Sequence, residues 1–167
     1  MNAALLAAGV GIVLALTRFA FQFYAVPSGS MSPTLAVGGR IWVQKLGVDK
    51  ELLRPGDIVV FKRPPTDHVD TNIADVVKRI VAAPGDVVSS AGGYLVVDGQ
   101  VVREAYLRPG TRTTGVRRQV VPPGHYFVMG DNRARSYDSR FFGPIAATSI
   151  VGRVVAQVWP PSAIRTF

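Results

Sequence analysis

The sequence contains no cysteine and only two histidines, His68 and His125, among its 167 residues. Without cysteine the chain can form no disulfide, no thiolate metal site and no cysteine nucleophile. Two histidines are too few for the multi-histidine sites that hold catalytic zinc. We therefore expect no metal and no other cofactor.

Acidic residues are also few: the sequence has 11 Asp and Glu against 19 Lys and Arg, which gives a net charge of +8. The excess fits a solvated basic surface, and it equally fits attraction to anionic lipid headgroups, at about 1 kcal/mol per cation near the membrane. Nucleic-acid binding is a third interpretation. The arginines are scattered and no nucleic-acid motif occurs, so we expect no nucleic-acid partner.

Charged residues are absent from the N-terminal run Ala3 to Leu16. With Arg18 snorkelling to the headgroups, the apolar span to about Tyr24 reaches the roughly 20 residues that a transmembrane helix needs. A cleavable signal peptide would begin with basic residues, and none of the first seventeen residues is Lys or Arg. A buried soluble helix is the remaining alternative. We predict a membrane anchor over residues 1–25 and a catalytic domain over residues 26–167.

Long helices are not expected beyond this segment, because twelve prolines and seventeen glycines interrupt the chain. Short runs rich in Val and Ile, bounded by turn residues, predict strands instead. These runs are Ile41–Lys45, Asp57–Phe61, Ala74–Val81, Tyr94–Val97, Gln100–Val102, Tyr126–Met129 and Ile150–Trp159. We predict a mainly β fold, with antiparallel sheets forming a coiled, barrel-like domain behind one transmembrane helix.

Residues 87–120 are predicted to form a small inserted hairpin and loop region. Within it, Asp98-Gly99 has the composition of a type I′ hairpin turn. Residues 104–120 are polar and rich in arginine, which is typical of a loop or an edge excursion.

The chain has few lysines, and Lys78 is unusual among them because it lies within the apolar run Val76 to Val81. Strand alternation puts Val76, Lys78 and Ile80 on one face, so at least one cation shares a face with branched apolar residues. A buried lysine could lose its proton and activate a hydroxyl nucleophile, which arginine cannot do. Lowering its pKa from about 10.4 to about 7–8 costs roughly 4 kcal/mol.

The alternative to a structural or snorkelling lysine is therefore a serine–lysine protease with a serine just past the anchor. A serine–histidine arrangement is a further alternative. His68 lies in a polar loop and His125 opens a predicted strand, and both positions favour structural or solvated roles.

Four segments together resemble the sequence boxes of bacterial type I signal peptidases, in the order in which that family carries them. The segments are Ser28–Leu35, Arg54–Phe61, Val77–Asp86 and Gly130–Arg140. The resemblance covers nearly the whole chain, and the predicted anchor precedes the first box as it does in the family. Ala134 and Arg135 depart from the Asp-Asn that is common at these positions.

This resemblance implies a role for each matched residue. Ser30 corresponds to the nucleophile and Lys78 to the general base, while Ser28 corresponds to an oxyanion donor that acts with the backbone N–H of Ser30. Ser136 corresponds to the hydroxyl that orients the lysine. In the same box, Asp138 and Arg140 correspond to a supporting ion pair, with Asp131 nearby.

The resemblance also implies the substrate. The enzyme would remove signal peptides from exported preproteins through an acyl-enzyme, after an Ala-x-Ala sequence whose two small side chains point to one face of an extended peptide. The pocket positions implied are Tyr24, Val26, Pro27, Met31, Leu35, Val76 and Val77. Expected partners are the signal peptide, membrane lipid and the protein-translocation machinery. The expected location is the bacterial plasma (inner) membrane, single-pass, with the catalytic domain on the extracytoplasmic side.

Two other classes of protein share some of these features. A self-cleaving serine–lysine enzyme of the repressor type would carry a DNA-binding domain, for which the chain has no candidate. A membrane-anchored β domain that only binds peptides would have no need of Ser28, Ser30, Lys78 and Ser136 together.

Overall fold

The computed structural model of the chain describes residues 20–65 and 73–167. Over these residues the chain forms twelve strands, four 3-10 turns and the short α-helix α1 (Ser139–Phe142). The strands are β1 (Phe21–Ala25), β2 (Arg40–Gln44), β3 (Ile58–Lys62), β4 (Asp75–Ala82), β5 (Val87–Ala91), β6 (Tyr94–Val97), β7 (Gln100–Val101), β8 (Gln119–Val120), β9 (His125–Met129), β10 (Ile145–Ala146), β11 (Ile150–Trp159) and β12 (Arg165–Thr166).

The strands form two antiparallel sheets. The larger has the order β1-β2-β11-β3-β4-β9-β10, with β12 also paired to β11, and the smaller has the order β7-β6-β5-β8. The pairings of β11 with β2 and β3 contain register shifts, which bend a strand and increase its twist. Among the described strands, β1 and β10 end the path without pairing to each other. The prediction of a mainly antiparallel β fold is confirmed, and this sheet is open rather than closed into a barrel.

Both faces of the larger sheet are covered. Along β3, Val59 and Phe61 join one apolar cluster, whereas Ile58 and Val60 join another on the opposite face. This double burial is why β3 reads as a continuous apolar run rather than an alternating one. A third cluster lies where the two sheets meet and includes Phe127 of the larger sheet.

The hairpin expected at Asp98-Gly99 joins β6 to β7, and Val97 pairs with Gln100 across it. Both turn residues have positive φ, 52° for Asp98 and 79° for Gly99, as a type I′ turn requires. This prediction is confirmed.

The predicted end of the membrane anchor is wrong. Residues 21–25, which we assigned to the anchor, form β1 and pair with β2 from Phe21↔Gln44 to Ala25↔Arg40. Phe23 stacks on Trp42 of β2, with ring centroids 6.2 Å apart, so these aromatic side chains pack across the β1–β2 strand pair. Most of the predicted anchor, residues 1–19, lies outside the described residues, as does His68. In the described part of the chain, no helix is long and apolar enough to cross a membrane.

Two strands within residues 87–120, β5 and β8, were not predicted. The region is more regular than a hairpin and loop, since β5 to β8 form a complete four-stranded sheet. The polar stretch that ends this region packs against it through Val116, whose N–H donates to Ser90 Oγ at 3.2 Å.

Candidate active site

Ser30 lies on a short 3-10 turn, Gly29–Met31, which we call the serine turn. The backbone is extended at Ser28, and the turn closes when the N–H of Ser32 donates to the carbonyl of Gly29 at 3.1 Å. Met31 is almost fully buried in the core and anchors the turn there. The turn therefore holds the half-buried Ser30 against β4 of the larger sheet.

Lys78 lies in β4, directly opposite Val59 of β3. It is only 4% exposed, so its long side chain runs through the interior. Its Nζ donates to the Oγ of Ser30 at 2.9 Å and to the carbonyl of Val77 at 3.2 Å. The two side chains are 48 residues apart in sequence and are brought within hydrogen-bonding distance by the packing of the serine turn against β4.

The hydroxyl of Ser28 lies 3.2 Å from the hydroxyl of Ser30. Ser28 is exposed, whereas Ser30 is half-buried, so the pair marks the point where the buried lysine site opens to solvent. A hydroxyl at this position can donate a hydrogen bond to an atom that approaches Ser30 from outside.

The segment that follows β9 holds the serine turn from another direction. Asn132 donates its backbone N–H to the carbonyl of Ser30 at 2.9 Å and its Nδ2 to the carbonyl of Gly29 at 3.0 Å. Gly130 is packed so closely that a Cβ there would lie 2.5 Å from the carbonyl oxygen of Ser30 and closer still to Ser136 Oγ. Sequence reasoning assigned no role to Asn132.

Ser136 is buried beside this contact. Within residues 20–65 and 73–167, its Oγ has no hydrogen-bond partner. A buried hydroxyl without a partner loses its hydrogen bonds to water and gains none in the protein, so it costs free energy. This makes Ser136 a candidate for a role other than stability.

Asp138 and Arg140 form an ion pair at the start of α1. Arg140 donates its Nε to Oδ1 of Asp138 at 2.8 Å and an Nη2 to Oδ2 at 3.0 Å. Asp138 also accepts the N–H of Gly130 at 3.1 Å, so the pair ties α1 to the segment that contacts the serine turn.

Asp131 does not join that pair. Its carboxylate accepts two hydrogen bonds from Arg79 of β4, from Nε at 2.9 Å and from Nη2 at 2.6 Å. Arg79 also donates to the carbonyl of Gly56 at 2.7 Å. Sequence reasoning missed Arg79, although alternation along β4 already separates its face from that of Lys78.

A further buried ion pair, between Glu104 and Arg133, fastens the polar stretch to the same segment. The hydroxyl of Tyr106 donates to Glu104, and its ring lies 4.0 Å from the guanidinium carbon of Arg79. Burial, and then the charge of Glu104, raise the pKa of Tyr106, so this phenol stays protonated as a donor. The sequence offered no periodicity or motif that would identify Glu104 or Tyr106.

The predicted pocket positions divide between two faces. Val26, Met31 and Leu35 are buried in one apolar cluster, and Tyr24 and Val77 pack at its edge. Two other predicted positions lie apart from that cluster: Val76 packs against the cluster on the opposite face, and Pro27 is exposed.

His125 begins β9, and its Nδ1 lies 2.9 Å from the carbonyl of Pro123. This is a local contact two residues away in sequence. It gives His125 a structural explanation that does not involve Ser30.

The sequence pattern of the family described as signal peptidase, peptidase S26, matches residues 2–159. The chain belongs to this family. Among curated relatives, the signal peptidase I of Bacillus caldolyticus is 39% identical over 90% of this chain and 86% of its own length. The signal peptidase I of Leptolyngbya laminosa is 36% identical over 91% of this chain and 76% of its own length.

A crystal structure of a signal peptidase I from Enterococcus faecalis V583 aligns with a TM-score of 0.49 at 30% identity, covering 60% of this chain and 95% of that one. Family membership and the curated relatives together identify the chain as a serine endopeptidase of the signal peptidase I type. The resemblance drawn from the four sequence boxes is confirmed.

Proposed function

We propose that this signal peptidase cleaves exported preproteins with Ser30 as nucleophile and neutral Lys78 as general base. The observation that supports the proposal most is the 2.9 Å hydrogen bond between Lys78 Nζ and Ser30 Oγ inside a buried site. Burial disfavours the ammonium form, so we expect the pKa of Lys78 to lie below its ordinary value of about 10.4. A neutral amine at this distance can accept the serine proton directly.

The reaction then proceeds in two halves. Lys78 takes the proton from Ser30 Oγ, and this oxygen forms a bond to the carbonyl carbon of the substrate. The resulting oxyanion accepts hydrogen bonds from the Ser28 hydroxyl and the Ser30 N–H, an arrangement in which one donor is typically worth 10²–10³ in rate. As the peptide bond breaks, Lys78 returns the proton to the leaving amine, and the signal peptide remains as an ester on Ser30.

Water completes the cycle. Lys78 removes a proton from the water molecule as it attacks the ester, and the same proton passes to Ser30 Oγ as the ester breaks. The signal peptide leaves as a carboxylic acid that releases its proton to solvent, and both catalytic residues return to their starting protonation states. We propose that Ser136 orients the Lys78 amine, and that Asp138, Arg140 and Asp131 hold the supporting segment.

We also propose that the enzyme cleaves after Ala-x-Ala. An extended substrate presents its first and third side chains before the cut to the same surface. Pockets at the edge of the cluster of Val26, Met31 and Val77 would accept small side chains only, because that cluster is already filled by its own residues. An added strand at this edge would bind through its main chain.

Attachment to the extracytoplasmic side of the membrane is part of the same proposal. Exposed aromatic side chains support it, since Phe23, Trp42 and Trp159 lie on neighbouring strands of the larger sheet and are 62%, 38% and 53% exposed. Such side chains are enriched where proteins meet the interface of a bilayer. Membrane attachment would concentrate the site where signal peptides leave the bilayer.

One experiment tests the chemistry. A preprotein with an Ala-x-Ala site is incubated in detergent with the full chain, with Ser30→Ala and with Lys78→Ala. We expect wild-type cleavage after the second alanine and a fall of at least about three decades in kcat/KM for each variant. The matched controls are Ser162→Ala, in an exposed turn, and Lys50→Ala, before β3, and both should cleave at the wild-type rate.

Three results would contradict the proposal. Cleavage that survives Lys78→Ala rules out the lysine base. Self-cleavage without action on the preprotein favours a self-cleaving enzyme. Binding of the preprotein without cleavage by any variant favours a peptide-binding domain.

A further inference from the structure

A cavity of about 340 Å³ opens beside the serine turn, on the side formed by the polar stretch and the segment after β9. Ser32, two residues beyond Ser30, forms part of its wall, and Asn132, which holds the serine turn, forms another part. Its remaining wall includes Arg108, Arg112 and Thr114. The cavity therefore begins within two residues of the proposed nucleophile.

The cavity carries uncompensated positive charge. The other charged side chains of its wall are engaged already: Asp131 by Arg79, Arg133 by Glu104 and Arg140 by Asp138. Among residues 20–65 and 73–167, Arg108 and Arg112 take part in no ion pair. Both are exposed, and Arg112 donates one hydrogen bond, to the carbonyl of Gly92 at 3.3 Å. Two arginines that have no ion-pair partner among the described residues thus line a space large enough for carboxylate side chains.

We propose that this cavity binds an acidic segment of the substrate just after the cleavage site, an inference that rests on the proposed function. The residues before the cut would lie along the edge of the apolar cluster of Val26, Met31 and Val77. The chain beyond the cut must leave the nucleophile in the other direction along its extended course. Ser32 and Asn132 lie next to the serine turn but do not belong to the apolar cluster, and they form part of the cavity wall.

The distances agree with this course. An extended peptide advances about 3.3 Å per residue, so the second to fourth residues after the cut lie about 7–13 Å from the scissile bond. The wall residue Ser32 is at most about 7.6 Å from Ser30 between Cα atoms. Carboxylates at those substrate positions would therefore enter the cavity that Arg108 and Arg112 line.

An anionic lipid headgroup offers similar chemistry, but the structure favours the peptide. The aromatic side chains proposed to meet the membrane lie on β1, β2 and β11. The cavity wall is built from other parts of the chain, residues 108–114 and 131–140 together with Ser32, and shares none of those strands. A site that adjoins the nucleophile is reached by the peptide during every turnover.

The test compares two preproteins that differ only after the cut. One carries Asp and Glu at the second to fourth positions of the mature part, and the other carries Asn and Gln there. We expect kcat/KM to be about fivefold higher for the acidic preprotein, mainly through KM, because such exposed ion pairs contribute modestly. Raising the salt concentration should reduce the ratio, since exposed charges are screened over about 8–10 Å.

Two variants locate the effect. In Arg108→Ala/Arg112→Ala the ratio between the preproteins should fall to about one, and in Arg108→Glu it should fall below one, because this side chain is exposed and its reversal repels the acidic segment. The control Arg117→Ala/Arg118→Ala removes two exposed cations of the same polar stretch that do not line the cavity. It should keep the wild-type ratio. Thermal unfolding of each variant checks its fold.

The outcomes separate the two proposals. Equal rates for both preproteins, with correct cleavage of the neutral one, overturn the acidic-segment inference and leave the proposed function intact. No cleavage of either preprotein by the wild type overturns the proposed function. A preference that survives Arg108→Glu, or that the control also loses, overturns the inference. So does a variant that keeps the ratio but loses binding to phosphatidylglycerol vesicles, because that result assigns the cavity to lipid.

Discussion

Asn132 donates its backbone N–H to the carbonyl of Ser30 at 2.9 Å, and its side chain makes a second hydrogen bond to the neighbouring Gly29 at 3.0 Å. The position of the nucleophile therefore depends on a segment about a hundred residues further along the chain. That segment also contains Ser136 and the Asp138–Arg140 pair. The serine turn is thus held between β4, which supplies Lys78, and the segment after β9.

Asn132→Asp should reduce activity at a modest cost in stability. Aspartate keeps the backbone bond to Ser30 but has no N–H to donate to Gly29 when it is ionised. The lost bond is worth about 1 kcal/mol, which corresponds to a roughly fivefold lower kcat if the turn must keep its geometry in the transition state. Steady-state kinetics and thermal unfolding measure the two effects. An unchanged kcat would contradict a positioning role for the Asn132 side chain.

Gly130→Ala should strongly reduce activity for a steric reason. The added methyl group would lie 2.5 Å from the carbonyl oxygen of Ser30, so either this segment or the serine turn must move. A displacement of about 1 Å at a catalytic group can cost about 10²-fold in rate. Gly29→Ala is the matched comparison, because its methyl group would meet Val37 at 3.6 Å, an ordinary contact. Kinetics should give a much smaller loss for Gly29→Ala, and equal losses would contradict the packing at Gly130.

The strands that the sequence predicted are those with strong local signals. β3, β4 and β11 are rich in Val and Ile. The β6–β7 hairpin has a turn that only a few residue pairs can adopt. β1 was missed because its Phe-Gln-Phe-Tyr begins only four residues after the apolar run that ends at Leu16, so hydropathy did not separate it from an anchor. What makes it a strand is its partner: Trp42 of β2 contacts both Phe21 and Phe23.

The residues of the site also divide into those with a sequence signal and those without one. Ser30 and Lys78 were predicted from a family resemblance and from an unusual lysine in an apolar strand. Glu104 could not be predicted, because its partner Arg133 lies 29 residues away and neither residue belongs to a periodic pattern. Contacts of this kind are decided by how the polar stretch folds back on the sheet, which local sequence does not encode.

Breaking the Arg79–Asp131 pair should strongly destabilise the fold. The side chains of both residues are buried, 8% and 0% exposed, and each would leave an uncompensated charge if the other were removed. Asp131→Ala should therefore lower the free energy of unfolding by about 3–5 kcal/mol. The surface pair of Lys62 and Asp75 is the control, and Lys62→Ala should cost at most about 1 kcal/mol since Lys62 is 63% exposed. Urea unfolding measures both, and similar costs would contradict the difference in burial.

Ser136 and Ser139 offer a matched test of function against stability. Both are buried serines of the same segment, 8% and 2% exposed. Ser139 Oγ accepts the N–H of Val128 at 2.9 Å, whereas Ser136 Oγ has no hydrogen-bond partner within the described residues. Ser139→Ala leaves a buried N–H unsatisfied and should cost about 1–3 kcal/mol of stability, while Ser136→Ala removes no such bond.

For activity, Ser136→Ala should be the more damaging of the two substitutions. If Ser136 orients the Lys78 amine, Ser136→Ala lowers kcat by at least about tenfold at almost unchanged stability, because a misplaced base transfers the proton less often. Ser139→Ala should keep the wild-type kcat at a temperature where it remains folded, since the Ser139 hydroxyl bonds to β9 rather than to the lysine. Urea unfolding and single-turnover kinetics on both variants give the comparison. A Ser136→Ala enzyme with wild-type kcat would show that Lys78 is held in place by its contacts with Ser30 and Val77 without help from this hydroxyl.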